Sequence, residues 1–312
     1  MVDKLMKLKP HYAEKIWGGD FLSRVKGRKK SAPIGELLEV SILEGQSSKY
    51  DEKPLSEIFS ETDLTYCVKF IETTQNLSVQ VHPDDNYANS VENSRGKAEC
   101  WLILEANPGE GIYLGLKDGV TREKFCDAIE KRENLNELMN FYPVKRGEFF
   151  FVPPGSIHAI GKGVLLLEVQ QSCGVTYRVW DWNRVGLDGK PRDLHIKKAM
   201  DVINFEPDLN SKKYFRYSSN GFNDTHEYEM ATHQDFSFKM LEGKKGEKLD
   251  VKLNLRGRPS AIICLKGIVG LNRDGAKQKL SEYMTVLCPK VDLPDSLSVE
   301  VLSEECFVAI IH

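Results

Sequence analysis

Four side chains of types that bind metal ions occur in three short stretches of the sequence. Gln80 and His82 lie two residues apart in a segment whose alternating apolar and polar residues predict a β-strand, so both should project from one face. Glu99 follows a turn where a neighbouring strand should begin, and His158 follows a Pro-Pro-Gly turn after a phenylalanine-rich strand. An amide oxygen, two imidazoles and a carboxylate form a nitrogen and oxygen ligand set without a thiolate. Such a set, with room left for water or substrate, favours a catalytic zinc ion over a closed structural one.

The order of these stretches resembles a known family. The pattern Gly147-x5-Pro153-x-Gly155-x2-His158 resembles the second motif of the cupin superfamily. Further motifs resemble type I phosphomannose isomerases, in particular their shorter bacterial and archaeal form. These motifs are Ser78-Val79-Gln80-Val81-His82-Pro83-Asp84, Gly96-Lys97-x-Glu99, Gly155-Ser156-Ile157-His158-Ala159, Trp17-Gly18-Gly19, Gly35-Glu36 and Thr176-Tyr177-Arg178-Val179-Trp180-Asp181. Together they span roughly residues 10 to 200, and the usual length of the family covers the whole chain.

The resemblance implies an enzyme that interconverts mannose 6-phosphate and fructose 6-phosphate by proton transfer through an enediolate, with one zinc ion per chain. In such a reaction a metal acts as a Lewis acid on the sugar carbonyl, and a fixed cation stabilises the enediolate. Two alternatives stay open. Another metal-dependent cupin sugar enzyme would rather show a His-x-His pair than Gln80-x-His82. A non-catalytic cupin that senses a sugar phosphate would be marked by loss of Lys97, Arg178 or a ligand, and all of these are present.

The resemblance also implies roles for residues outside the ligand set. Arg178, ten residues after Glu168, matches the catalytic arginine of the family, Lys97 matches its active-site lysine, and Ser78 matches a serine that contacts phosphate. Lys97 and Arg178 are thus candidates both for catalysis and for substrate binding. Arg184 is a second candidate for the cationic role, because strict alternation would put both arginines on one face. Glu168 follows a leucine run, so it is either a general base with a raised pKa or the partner of Arg178 in a salt bridge.

Short strand signals separated by Gly, Pro and Asn turns predict a mainly β protein. We expect two cupin-type jelly-roll β-sandwiches: a catalytic metal-binding domain over residues 1–207 and a second domain without a metal site over 208–312. Apolar residues at helical spacing predict a helical insertion in the first domain at about 116–142, formed by helices over Thr121–Ile129 and Glu133–Phe141.

Composition limits the classes of partner and compartment. The 312 residues carry a formal net charge of −3 with both signs mixed, which argues against a nucleic-acid-binding surface. No apolar run approaches the roughly 20 residues that a membrane span needs, and the start lacks a signal-peptide core. The seven cysteines are scattered without a CxxC pair, as expected of buried thiols in a reducing compartment. We therefore expect a cytoplasmic protein whose partner is a small sugar phosphate. The sequence leaves the oligomeric state open.

Overall fold

The computed structural model describes residues 4–28, 32–218, 227–253, 257–290 and 295–312. Most of its regular structure is β-strand, so the prediction of a mainly β protein is confirmed. Among the described residues before residue 200, the strands are β1 (Met6–Lys7), β2 (His11–Gly19), β3 (Ile34–Val40), β4 (Lys49–Tyr50), β5 (Lys53–Pro54), β6 (Tyr66–Glu72), β7 (Val79–Val81), β8 (Glu99–Ala106), β9 (Gly111–Leu116), β10 (Met139–Pro143), β11 (Phe149–Val152), β12 (His158–Ile160), β13 (Val164–Gln171) and β14 (Tyr177–Trp180). The strands that follow are β15 (Glu227–Thr232), β16 (Ser237–Lys244), β17 (Lys248–Lys252), β18 (Ser260–Lys266), β19 (Ile268–Arg273), β20 (Ala276–Ser281), β21 (Thr285–Cys288), β22 (Ser296–Val301) and β23 (Glu305–Ile311).

Helices are few and short in the described part of the chain. The α-helices are α1 (Phe21–Val25), α2 (Asp85–Glu92), α3 (Arg122–Glu130) and α4 (Ile196–Val202), and three 3₁₀ turns cover Leu55–Glu57, Leu135–Leu138 and Pro207–Asn210. None of these helices combines the length and apolar character needed to cross a bilayer.

The chain divides into two compact units, each built from discontinuous segments. One unit comprises Met1–His11, Leu38–Val68 and Phe222–His312, and the other comprises Tyr12–Leu37 and Lys69–Gly221. The unit that holds the C-terminal strands therefore also contains two segments from the N-terminal part of the chain. The predicted assignment of catalysis to residues 1–207 and of a metal-free domain to 208–312 stays a prediction.

The unit with the C-terminal strands has two main sheets and a hairpin. Its six-stranded sheet has the order β1-β21-β18-β23-β16-β15, its four-stranded sheet has the order β17-β22-β19-β20, and β4 pairs with β5. Alternate side chains of both sheets form one apolar core; Ile262 and Val308 come from the larger sheet, and Val269 and Val299 come from the smaller one. Burial of one face per sheet is the arrangement of a β-sandwich.

The other unit also has two sheets. The five-stranded sheet has the order β10-β9-β12-β7-β14, and the six-stranded sheet, most of which belongs to this unit, has the order β11-β8-β13-β6-β3-β2. Apolar residues from both, including Ile112 and Ile160 from the first and Trp101 and Leu166 from the second, pack into a shared core. The other face of the five-stranded sheet is covered by α3 and α4. This sheet is therefore buried on both faces.

The helical insertion is smaller than the sequence predicts. Helix α3 begins where the Thr121 side chain accepts a hydrogen bond from the Lys124 N–H (3.2 Å), as expected of an N-cap. The second predicted helix, over Glu133–Phe141, is wrong beyond its first part. A 3₁₀ turn covers only Leu135–Leu138, and the chain then enters β10, which pairs antiparallel with β9. Ladder pairing with a neighbouring strand thus outweighs the helical spacing of the local sequence.

Candidate metal centre and active site

Gln80, His158 and Arg178 share one face of the five-stranded sheet. Gln80 in β7 lies opposite His158 in β12 and opposite Arg178 in β14. Directly opposed residues of antiparallel strands project to the same side, so the three side chains form a row across the strands. Val79 and Val81 alternate with Gln80 and belong to the apolar cluster on the other face, beneath α3 and α4. One side of β7 therefore packs into the apolar core, and the other side carries the polar side chain of Gln80.

Three side chains that can bind a metal ion converge at the His158 position of this row. His82, Glu99 and His158 each offer one ligand atom, and these atoms lie within 4.8 Å of one another. Nε2 of His82 is 3.2 Å from Oε1 of Glu99, and Nε2 of His158 is 3.8 Å from Oε2. All three residues are buried. Because Glu99 begins β8 in the six-stranded sheet, the group lies between the two sheets of its unit.

Both imidazoles are held with one nitrogen turned inward. Nδ1 of His82 lies 3.0 Å from the Val175 carbonyl oxygen, and Nδ1 of His158 lies 2.9 Å from that of Ser156. A carbonyl only accepts, so each ring carries its proton on Nδ1 and directs the Nε2 lone pair into the group. Burial, aided by the charge of Lys97, lowers the pKa of His82 to about 3, and burial also lowers the pKa of His158. Both rings are thus neutral, which is the form that binds metal ions.

The Glu99 carboxylate is ionised although it is buried. Burial by itself raises its pKa, but the charge of the Lys97 ammonium opposes burial, and the pKa lies well below the usual range. Nζ of Lys97 lies 3.0 Å from Oε1 of Glu99 and 3.4 Å from Nε2 of His82. Within the described residues, neither carboxylate oxygen of Glu99 accepts a well-formed hydrogen bond. Two inward lone pairs and a buried, ionised carboxylate fit a divalent cation.

Gln80 borders the group from the neighbouring strand. Its Nε2 lies 3.2 Å from Nε2 of His158, so the amide donates to the imidazole lone pair. The amide oxygen and nitrogen can exchange places by rotation of the terminal torsion, and a cation at this position would favour the oxygen. The assignment of Gln80 as a ligand stays a prediction.

Glu168 is paired with a residue that sequence reasoning missed. Its Oε1 lies 3.1 Å from Nζ of Lys69, and its Oε2 accepts a hydrogen bond from Nε1 of Trp101 (3.1 Å). The salt bridge of Glu168 is thus made to Lys69, and the predicted alternative of a salt bridge to Arg178 is wrong. Burial raises the pKa of Glu168, the negative charge of Glu99 adds to this, and Lys69 opposes it. The available signal was a lysine within the otherwise apolar run of β6.

Further charges lie near Lys69 on neighbouring strands of the six-stranded sheet. Nζ of Lys15 in β2 is 3.3 Å from Oε2 of Glu36 in β3. Burial raises the pKa of Glu36, but Lys69, Lys15 and Lys97 together lower it to about 2. Glu36 belongs to the Gly35-Glu36 motif, which had no assigned role in the sequence. Acidic and basic side chains therefore alternate from β2 through β3 and β6 to β13.

Arg178 and Arg184 have different surroundings. Nη1 of Arg178 donates to the Asp193 carbonyl oxygen (2.8 Å), and its Nε is buried without an acceptor among the described residues. Arg184 instead donates from Nε and Nη2 to Oδ1 of Asp181 (3.2 and 3.1 Å). The predicted alternation along this segment fails because β14 ends at Trp180, and Trp182 and Asn183 are left-handed. Arg178 alone of the two belongs to the row with Gln80.

The remaining predicted site residues lie near the group. Lys97 is buried against Glu99 and His82, as described above. Ser78 is buried directly before β7, two residues from Gln80. The structure thus brings Lys97 to the metal-binding group and places Ser78 directly before the strand that carries Gln80. Their roles toward a substrate stay predictions.

Comparison with known proteins decides the family. No family model matches the chain. Mannose-6-phosphate isomerase ManA of Bacillus subtilis (strain 168) is 37% identical over 219 residues, which cover 65% of this chain and 69% of that protein. The chain belongs to the mannose-6-phosphate isomerase family. A mannose-6-phosphate isomerase of Streptococcus mutans is 35% identical over 206 residues, which cover 61% of this chain and 65% of that protein.

Solved structures of mannose 6-phosphate isomerases share the fold. The Bacillus subtilis crystal structure superposes with a TM-score of 0.82 at 24% identity, over 99% of this chain and all of that one. The apo form from Salmonella typhimurium superposes with a TM-score of 0.75 at 14% identity, over 100% of this chain and 99% of that one. The predicted mainly β, cupin-like fold is therefore confirmed, and the relative ManA confirms the predicted family.

Proposed function

We propose that the protein is a zinc-dependent aldose–ketose isomerase that interconverts mannose 6-phosphate and fructose 6-phosphate through an enediolate. The observation that carries the proposal is the buried group of His82, Glu99 and His158, with two neutral imidazoles and an ionised carboxylate. Membership of the mannose-6-phosphate isomerase family supports the choice of substrate. We also propose a cytoplasmic location, which the presence of all seven cysteines as thiols supports.

His82, Glu99 and His158 would hold the zinc ion, with the amide oxygen of Gln80 as a fourth ligand. When bound, the ion supplies Lewis acidity that polarises the carbonyl group of the sugar. The carbonyl acceptors on Nδ1 of both histidines keep the rings in the tautomer and orientation that such binding needs. The buried surroundings strengthen every electrostatic interaction at the site, because little water is present to screen it.

Arg178 and Lys97 supply positive charge to the anionic substrate and to the enediolate. The Nε–H of Arg178 is buried and has no acceptor among the described residues. A guanidinium fixed where negative charge develops stabilises the transition state more than the ground state. Lys97, held by Glu99, adds a second cation beside the ligands. The Ser78 hydroxyl donates to the phosphate, as the family resemblance implies.

Glu168 is our choice for the general base that moves the proton between the two sugar carbons. Burial raises its pKa, which makes its carboxylate a stronger base at neutral pH than an exposed one. Lys69 and the indole of Trp101 fix the orientation of the carboxylate, since each contacts one of its oxygens. The raised pKa and the fixed orientation are both properties that a catalytic base needs.

A coupled assay that detects fructose 6-phosphate formed from mannose 6-phosphate tests the proposal. We expect turnover that a chelator abolishes and that added zinc restores. Unphosphorylated mannose is the matched control and should react far more slowly, because it lacks the group that Arg178, Lys97 and Ser78 bind. Tight binding of mannose 6-phosphate without turnover would instead indicate a sugar-phosphate sensor. Turnover of a different sugar phosphate alone would indicate another metal-dependent cupin enzyme.

A further inference from the structure

We propose that His195 is a positioning residue for the isomerase reaction, acting through Arg178. The inference rests on the proposed function, in which Arg178 is the fixed cation. It assigns a role to the segment 193–195, which precedes α4 and carries none of the predicted site residues.

The first observation is that His195 forms hydrogen bonds with both the N–H and the carbonyl oxygen of Arg178. The Arg178 N–H donates to Nδ1 of His195 (3.1 Å), and the His195 N–H donates to the Arg178 carbonyl oxygen (2.7 Å). Strand β14 is the last strand in the order of its sheet, with β7 as its ladder neighbour. His195 therefore fixes the outer edge of the strand at the residue that carries the guanidinium.

The second observation concerns the guanidinium itself. Nη1 of Arg178 donates to the carbonyl oxygen of Asp193, two residues before His195 (2.8 Å). One short segment thus holds the N–H, the C=O and the side-chain tip of Arg178. The Nε–H is buried and has no acceptor among the described residues, so these three attachments are what hold Arg178 in place. Displacement of this segment would move backbone and guanidinium together.

The third observation separates this role from helix capping. His195 occupies the N-cap position of α4, yet its side chain makes no capping hydrogen bond there. Its imidazole serves Arg178 instead. Acceptance at Nδ1 requires the proton on Nε2, so the ring must be neutral in a single tautomer. The structure gives the imidazole a contact beyond α4, with the Tyr177 ring at 6.3 Å between centroids.

Loss of the imidazole should therefore harm the chemical step more than folding or metal binding. Without Nδ1, the Arg178 N–H lies at a sheet edge without its acceptor and the edge is held less firmly. A small displacement of a positioned catalytic group costs on the order of tenfold to a hundredfold in rate. We expect His195→Ala to lower kcat about tenfold, with KM changed by less than about threefold and zinc content unchanged.

Two conservative variants and one control test whether the role of His195 depends on the hydrogen-bond acceptor at Nδ1. In His195→Asn, Oδ1 takes the place of Nδ1 and can accept the same N–H, so kcat should return to within about threefold of the wild-type value. In His195→Gln the acceptor lies one bond further out, and kcat should stay low. Lys197→Ala changes an exposed residue of α4 and should leave kcat and the melting temperature unchanged. An equal loss of kcat in His195→Ala and His195→Asn would contradict the role of His195 Nδ1 as a hydrogen-bond acceptor.

A double-mutant cycle decides whether His195 acts through Arg178. We expect His195→Ala to lower kcat about tenfold in the wild-type background and by less than about twofold in Arg178→Ala, because the group it positions is then absent. A tenfold loss in both backgrounds, or no loss in either, would overturn the inference. The wild-type rate on mannose 6-phosphate is measured in the same series. A wild-type protein without turnover would refute the proposed function and this inference with it, whereas an active wild type with additive losses refutes the positioning role alone.

Discussion

Replacement of Lys69 by methionine should lower the free energy of unfolding by about 3 kcal/mol at pH 8, because it leaves the Glu168 carboxylate buried without its partner. The two charged atoms lie 3.1 Å apart, and the side chains are only 8% and 5% exposed. At an effective dielectric constant of about 20, unit charges at that distance attract by about 5 kcal/mol. Methionine also removes the cost of burying the ammonium, which offsets part of that loss.

The loss of unfolding free energy in Lys69→Met should depend on pH. Burial already raises the pKa of Glu168 with Lys69 present, and removal of the cation should raise it further. The folded state then holds the proton more tightly than the unfolded chain, in which the glutamate has its ordinary pKa of 4.5. The destabilisation of Lys69→Met should therefore be small near pH 4.5. It should increase as the pH rises toward the raised pKa that Glu168 has in the folded variant.

Urea unfolding at several pH values, followed by tryptophan fluorescence, measures this. Lys15→Met is the matched control, since the ion pair of Lys15 with Glu36 is more accessible, with side chains 29% and 16% exposed. It should cost about 1 kcal/mol or less. Lys69→Met combined with Glu168→Gln should recover much of the stability, because both charges are then absent. A Lys69→Met variant no less stable than Lys15→Met at every pH would refute the reasoning.

Three further predictions concern the metal and the arginines. His82→Ala and His158→Ala should each lose zinc while remaining folded, and elemental analysis that found a full metal complement in both would contradict the ligand assignment. Gln80→Ala should keep zinc but bind it about tenfold more weakly, as competition with a chromophoric chelator would report; unchanged affinity would remove Gln80 from the ligand set. Arg178→Ala should lower kcat/KM about 10²-fold or more with zinc unchanged, whereas Arg184→Ala should have a smaller effect, mainly on KM. Near-normal turnover in Arg178→Ala would overturn that assignment.

The parts of the site that follow from local sequence were predictable. Alternation along β7 indicated that Gln80 and His82 share a face opposite Val79 and Val81, and the structure places the two valines in the apolar cluster beneath the helices. The carboxylate of Glu99 was expected after a turn at the start of a strand, and β8 begins there. A period of two residues and a turn are properties of a few neighbouring residues, so one sequence suffices to recognise them.

The parts that depend on strand order were not predictable. Lys69 and Glu168 lie in β6 and β13, which are far apart in the chain and adjacent in the sheet, so their ion pair has no local signal. Likewise, the pairing of β10 with β9 turned a helical pattern into a strand after Leu138. The left-handed backbone of Trp182 and Asn183 ended the alternation that would have placed Arg184 beside Arg178. In each case a long-range pairing or a turn geometry outweighed the local pattern.

The most direct test of the central claim is a zinc titration of the chelator-stripped protein, with bound zinc and the conversion of mannose 6-phosphate followed together. If His82, Glu99 and His158 form the metal centre of an isomerase, activity should rise in proportion to bound zinc and level off at a single ion per chain. His82→Ala, titrated in parallel, should neither bind zinc at this site nor regain activity. Full turnover by the stripped protein, or turnover that His82→Ala retains, would contradict the claim.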